Sequence, residues 1–222
     1  MGEPPTQSDS RAEIESASTR RAPLQLRSQQ TVQRVLDAAS SLLQQISLEE
    51  ITTTRIAAEA RLSIGALYRF FPDKQSIIDA IAVRHVEQFK ASVEPKLLKL
   101  AVRDAVSLRF DPAVLLDAVI DAYVVYLDAH PDFRTISFGR HISAATRERE
   151  ASPHVGLPGL LKKFIVRRLG MTDSSELDLR LRVVSESGER LIAYAYEQST
   201  REERGRVIAE MKRMLARYLF SP

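Results

Sequence analysis

The chain contains no cysteine, which excludes a disulfide framework and thiolate metal sites alike. Its four histidines, His85, His130, His141 and His154, show no HxxxH or HExxH spacing, so no metal site is indicated. A GxSxG elbow, a glycine-rich phosphate loop and a dinucleotide fingerprint are also missing. The sequence therefore nominates no catalytic residue and no cofactor, and it does not read as an enzyme. Long apolar runs are lacking too. The longest, from Ala113 to Leu127, is broken by Asp117 and Asp121, so no membrane span is expected. The first residues are polar and charged, without the apolar stretch of a secretory leader, and a cytoplasmic location is the expectation.

Strong charge bias is the next absence. The formal net charge is +3 and the sequence pI is near 9.3, a mild basicity that permits nucleic-acid binding without requiring it. Between Arg27 and Lys74 the cations Arg27, Arg34, Arg55, Arg61, Arg69 and Lys74 face nearly as many acids, Asp37, Glu49, Glu50, Glu59 and Asp73. What is present is ordinary for a globular protein: 44% hydrophobic and 27% charged residues over 222 positions. Function has to come from pattern.

The pattern is helical throughout, and the fold class expected is all-α. Residues 1–23 are rich in Ser, Pro, Thr and charge and read as a disordered tail; Arg20, Arg21 and Arg27 are the candidates for a minor-groove arm, the alternative being ordinary solvated disorder. Val32, Val35, Leu36, Ala39, Leu42, Leu43 and Ile46 then form one apolar stripe. Thr52 or Thr53 caps a short helix through Ala60, and a third helix runs from about Ile64 to Phe70. Pro72-Asp73 ends this segment and caps a long helix with a bend expected at Pro95. Asp111-Pro112 opens a helix from Ala113 to Ala129 that is apolar almost all round, as for a helix buried mid-domain. Asp117, Asp121 and Asp128 cluster on one edge of it. A further helix is expected from Pro131 towards Thr146, a loop from Ala151 to Pro158, and a helix from Leu160 to Leu169 stopped at Gly170. The last two run from Ser175 to Gln198 and, after a Thr200–Glu203 capping box, to the C-terminus. The domains expected are a three-helix unit at 24–73 and a larger helical domain at 74–222.

Within the first domain the offsets are those of a helix-turn-helix. Ala57 is small where a second helix would cross, and Ile56, Ala60, Leu62, Leu67 and Phe70 supply an inner apolar face. The turn position that favours glycine holds Arg61, at a cost of about 1–2 kcal/mol. On Ile56-Ala57-Ala58-Glu59-Ala60, on Ser63-Ile64-Gly65-Ala66-Leu67-Tyr68-Arg69-Phe70-Phe71 and on Lys74, the stretch from Arg27 to about Ile81 resembles the DNA-binding domain of TetR-family transcriptional regulators. A second family glycine is replaced around Ile46-Ser47, which reads as local strain.

The resemblance implies a homodimer that sets one recognition helix per subunit into the major groove of a palindromic operator. With Leu62, Leu67 and Phe70 turned inward, Ser63, Ile64, Gly65, Ala66, Tyr68 and Arg69 are left near DNA. Arg69 is the candidate for reading a guanine edge or for gripping phosphate. Ala66 or Ile64 suits a thymine methyl, and Gly65 allows close approach. Tyr68 resembles a phosphate-contacting tyrosine, the alternative being a core residue. Thr52 and Thr53 sit at a helix N-terminus, and Lys74 is a further phosphate candidate.

The larger domain is expected to bind ligand and to dimerise. Val184, Gly188, Leu191, Ile192, Ala195, Met211, Met214, Leu215 and Tyr218 are the interface candidates, as in a four-helix bundle between subunits; packing within the monomer is the alternative. Tyr123, Tyr126, Phe133, Phe138, Arg140, His141 and Phe164 are the candidates to line an effector cavity. The effector itself is not legible. The function expected is a DNA-binding transcriptional regulator, a repressor released by a small molecule. The competing reading is a helical protein-interaction module whose helix-turn-helix no longer binds DNA.

Overall fold

The computed structural model describes residues 27–105, 112–152 and 154–220. The expected disordered tail, its Arg20 and Arg21, and the Asp111 cap lie outside these residues. Among the described residues every regular element is a helix. They divide into two compact units, one ending at Ile77 and the other beginning at Ile78.

The first unit opens with α1, residues 27–43. Its apolar stripe is buried through Val35, Leu36, Ala39 and Leu43, as the spacing requires. A single 3₁₀ turn, Leu48–Glu50, follows, with the Glu50 carboxylate accepting from Ser47 N at 3.1 Å and Ser47 Oγ at 3.0 Å. Next come α2 (Thr53–Glu59) and α3 (Ile64–Tyr68). Thr52 caps α2 by accepting from Arg55 N, and Ser63 caps α3 by accepting from Ala66 N, each at 3.2 Å. α3 is two residues shorter than the periodicity suggests. Consequently Phe71, 6% exposed, fills the core beneath the helix end, whereas Phe70 is half-buried. The chain turns after α1 with no positive φ, so the glycine missing near Ile46-Ser47 costs no strain.

α4 (Lys74–Ala105) begins in this unit and continues into the second, uninterrupted at Pro95. Asp73 caps it, its carboxylate accepting from Ser76 N at 2.7 Å. In the second unit follow α5 (Pro112–Ala129), α6 (Pro131–Phe138), α7 (Ala144–Glu150), α8 (Leu157–Leu169), α9 (Ser175–Tyr196) and α10 (Arg201–Phe220). α10 packs along α9 and α5, α8 against α9, and α6 against α5. The Thr200–Glu203 capping box forms as read: Glu203 accepts from Thr200 N and Thr200 Oγ1 accepts from Glu203 N, both at 3.1 Å.

Two expectations need correction here. The helix from Pro131 breaks at Gly139-Arg140-His141 and restarts at the Ser143 cap, giving α6 and α7. Arg140 takes φ +56°, and His141 N and Arg140 N donate to Ile136 O and Ser137 O, the closing bonds of a Schellman motif. α5 is not buried on all sides either, because Val125 is 68% exposed and Val114 is exposed as well. Its acidic edge faces cations rather than open solvent alone. Asp121 pairs with Lys212 at 2.6 Å and Asp128 with Arg204 at 3.3 Å, fastening α5 to α10.

Candidate functional site

In the first unit, the geometry of α2 and α3 follows from what each buries. Ile56 (1% exposed) and Ala57 on α2, Ala60 at its C-cap and Leu67 (0%) on α3 are all buried where the two helices pack. Ala57 leaves room for the second helix to cross, and the Schellman closure sets the angle. Arg61 N donates to Ala58 O and Leu62 N to Ala57 O, with Arg61 itself at φ +54°. With the inner face spent on packing, the outer face of α3 carries Ser63, Ile64, Gly65, Tyr68 and Arg69, all exposed, and the half-buried Ala66. Nothing lies within 4 Å of where a Gly65 side chain would begin. Its own fold therefore does not require glycine there, and the bare backbone faces open space.

Tyr68 is not core. It is 49% exposed, and its hydroxyl sits 3.0 Å from Thr53 Oγ1 on α2. This hydroxyl pair and the α2 N-terminus at Thr52 lie alongside the outer face of α3. Lys74 is engaged within its own unit. Its half-buried ammonium donates to Leu48 O and Ile51 O at 3.0 Å each, closing the 3₁₀ turn onto the start of α4. Leu48 O also accepts the 3₁₀ bond from Ile51 N at 3.2 Å, so the ammonium adds a second bond there and a bond to Ile51 O beyond the turn. Lys74 is thus a structural tie before it is anything else.

The second unit holds a mostly apolar, partly open cavity of about 160 Å³. Ala82, Val86 and Phe89 of α4, Leu116, Val119 and Tyr123 of α5, Phe133 of α6, Leu161 of α8, Ile192 of α9 and Leu215 of α10 contribute to its wall. Ser137, Arg147, Ala151 and Glu189 line both this cavity and a wider polar groove of about 760 Å³, so the polar wall stands between the two. Burial pushes the Tyr123 phenol up strongly. Desolvation, then the neighbouring Glu186, raise the Glu189 carboxyl, opposed by Arg147 and Arg140.

The nominated cavity residues separate. Tyr123 and Phe133 line the cavity, while Phe138 and Arg140 line the groove. Tyr126, His141 and Phe164 line neither. Tyr126 is held in a network around the buried His85, whose Nδ1 is 2.8 Å from the Tyr126 hydroxyl and whose Nε2 is 3.0 Å from Asp132 Oδ2. The same Tyr126 hydroxyl donates to Gln88 Oε1 at 3.2 Å, and Asp132 Oδ2, a carboxylate oxygen, accepts from His85 Nε2. Burial, then Asp132, push the Tyr126 phenol up to about 12. Phe164 is 7% exposed core. Sequence reading missed Ser137, Arg147 and Glu150, because only the break between α6 and α7 turns them to one wall.

The nominated dimer stripe also requires correction. Val184, Gly188, Ile192, Ala195, Met211 and Leu215 are buried within the subunit. A Cβ on Gly188 would stand 3.5 Å from Leu215 Cδ1, so the close approach this glycine allows is to its own α10. Leu191 is half-buried. Met214 (49%) and Tyr218 (42%) remain outward, joined by Tyr194 (45%), which sequence reading did not name.

A capped helix pair with its inner face consumed by packing, followed by a helical unit around an apolar cavity, defines a helix-turn-helix DNA-binding protein with a ligand-binding domain. Residues 35–81 match the family model for bacterial regulatory proteins of the tetR family, and 111–219 match that for the tetracyclin repressor-like C-terminal domain. The chain belongs to the TetR family of transcriptional regulators. Comparison with curated protein sequences found no match. Among solved structures, a TetR-family regulator from Streptomyces coelicolor is 24% identical with a TM-score of 0.62, over 85% of this chain and 97% of that one. A TetR regulator from Rhodococcus sp. RHA1 is 18% identical with a TM-score of 0.59, over 87% and 98%. RolR in complex with its ligand resorcinol is 18% identical with a TM-score of 0.56, over 87% and 95%. No described helix is long and apolar enough to cross a membrane.

Proposed function

We propose that this chain is a homodimeric cytoplasmic repressor that occupies a palindromic operator in double-stranded DNA and is released by a small-molecule effector. The observation that carries the reading is the outer face of α3. Ser63, Ile64, Gly65, Tyr68 and Arg69 are exposed together on a helix whose other side, at Leu67, is fully buried. Such a helix is rigid, protrudes and has no use for that face inside its own unit. In this reading residues 24–73 form the DNA-binding domain and 74–222 the ligand-binding and dimerisation domain. Arg69 reads a base edge, Ile64 and Ala66 offer methyl contacts, and Thr52, Thr53 and Tyr68 hold the phosphate backbone. Lys74 acts by anchoring the turn before α2.

Dimerisation is assigned to the outward faces of α9 and α10, at Tyr194, Met214 and Tyr218, rather than to the stripe buried between them. Effector control is assigned to the cavity. Three of its wall residues, Ala82, Val86 and Phe89, belong to α4, whose first turn follows directly on the helix-turn-helix. A ligand that binds better to one position of α4 shifts the population towards it, and by linkage weakens DNA binding. That RolR, of the same fold, holds resorcinol supports reading the cavity as an effector site.

The test is selection of bound duplexes from random DNA, followed by binding across a salt series. Enrichment of a palindrome and steeply salt-dependent association are expected. Arg69→Ala is expected to relax preference at one position per half-site, a change of about 1–3 kcal/mol. No enriched sequence together with salt-independent binding ends the reading.

A further inference from the structure

The cavity wall carries buried polar atoms with nothing to bond to. Among the described residues, Ser137 Oγ, Arg147 Nε and Glu150 Oε2 are buried without a hydrogen-bond partner, and all three residues line the same cavity. Native proteins rarely leave such groups unmet, because each gave up water on folding. Ser137 is 6% exposed. Arg147 and Glu150 stand three residues apart on α7, hence on one face of it. The other Glu150 oxygen, Oε1, is occupied by Arg149 at 3.0 Å, which leaves Oε2 as the free acceptor. The rest of the wall is mostly hydrocarbon and aromatic ring, with Thr146, Ser185, Glu189 and the Tyr123 phenol as its other polar members.

We infer that the cavity is built for an uncharged, ring-sized alcohol or phenol, whose hydroxyl donates to Glu150 Oε2 and accepts from Arg147 Nε or Ser137 Oγ. The inference rests on reading the cavity as an effector site. Each part of the ligand answers to a feature of the wall. Arg147 offers a donor, Glu150 an acceptor and Ser137 either, and a hydroxyl is the smallest group that meets a donor and an acceptor at once. Net charge is disfavoured in both senses. An anion matched to Arg147 meets the Glu150 carboxylate and Glu189, a cation matched to Glu150 meets the Arg147 guanidinium, and burial raises the Glu189 carboxyl towards its neutral form. Size follows from volume: about 160 Å³ is close to the roughly 150 Å³ of an engineered apolar cavity that admits benzene. Orientation follows from the shared wall. Ser137 and Arg147 also line the outer groove, so the hydroxyl lies at that side with the ring directed inward towards Phe89 and Phe133.

The test uses the purified full-length protein without DNA, titrated calorimetrically with 4-methylphenol, toluene, benzoate and benzylammonium. The expected result is 4-methylphenol bound about 10-fold or more tightly than toluene, with neither ion competing. Ser137→Ala and Glu150→Met are expected to narrow that preference by weakening 4-methylphenol while leaving toluene unchanged. Ser137→Ala should not lower the melting temperature of the free protein, since it removes only an unmet hydroxyl, so it decides the matter if Glu150→Met folds poorly. Toluene binding as well as 4-methylphenol, a charged probe competing best, or a preference unchanged in Ser137→Ala each overturns the ligand class while leaving an effector cavity in place. No binding by any probe at millimolar concentration overturns the cavity reading with it.

Discussion

The hydroxyls of Thr53 and Tyr68 lie 3.0 Å apart, joining the first turn of α2 to the last residue of α3. Both residues stand on the side of the helix pair that packing leaves free. Because Tyr68 is half exposed, the bond is solvated and contributes little to stability. Its use is to fix where the phenol oxygen stands. Tyr68→Phe is therefore expected to change unfolding free energy by less than about 1 kcal/mol while weakening DNA binding several-fold. The loss should be equal for all base variants of an operator, as for a phosphate contact. A loss confined to one base position in parallel binding assays would reassign Tyr68 to base reading.

Lys74 offers the opposite balance. Its ammonium bonds two carbonyls in a half-buried setting, of which Leu48 O keeps a backbone bond from Ile51 N, and a hydrogen bond to a charged group contributes about 1.5–3 kcal/mol. Lys74→Met should lower stability by a few kcal/mol at most, read by urea unfolding. The slope of log affinity against log salt should stay unchanged. A slope shallower by about one unit would mean that the ammonium neutralises a phosphate after all.

Arg61 occupies a left-handed position, φ +54°, at the point where a Schellman motif closes α2. Glycine takes that conformation without the Cβ clash. Arg61→Gly is expected to raise unfolding free energy by about 1 kcal/mol, visible as a higher denaturant midpoint with an unchanged slope. Arg140, at φ +56° after α6, should respond in the same direction. A lower midpoint for both variants would show that their side chains contribute more than the backbone strain costs.

Tyr196 provides a pH dependence. Its hydroxyl donates to Asp128 Oδ1 at 2.7 Å, and Arg204 stacks on its ring at 4.7 Å. Burial first, and Asp128 second, push the phenol up to about 12 from 10.0. The folded protein thus keeps this proton at a pH where the unfolded chain has lost it. The stabilisation is complete below pH 10 and is lost as pH rises through about 12. Tyr196→Phe should flatten the alkaline limb of a stability profile, the effect being moderated by partial exposure. An identical alkaline limb in the variant would remove Tyr196 as its source.

Local rules were readable wherever one residue type has one physical use. Thr52 and Ser63 as caps, the Thr200–Glu203 box, Gly170 at φ +66° and the stripe of α1 are all of this kind. The break after Phe138 was not readable, because a Schellman motif normally advertises itself with glycine at the left-handed position. Here that position holds Arg140, while Gly139 stands one residue early. A Cβ on Gly139 would run into the His141 ring, a constraint from a neighbouring side chain that no spacing rule expresses.

Periodicity alone established which residues of α9 and α10 share a stripe and which of α3 must turn inward at Leu67. It did so because helical geometry places every third or fourth residue on one face. Only the tertiary structure decided what each stripe meets. Val184, Gly188, Ile192 and Leu215 proved to face their own subunit's helices, and the Lys74 ammonium found backbone carbonyls more than twenty residues away in sequence. An apolar face is equally satisfied by a neighbouring helix or by a second copy, and a cation by a carbonyl or a phosphate. The chemistry of the residue leaves that choice open, and the positions of the partners in space make it.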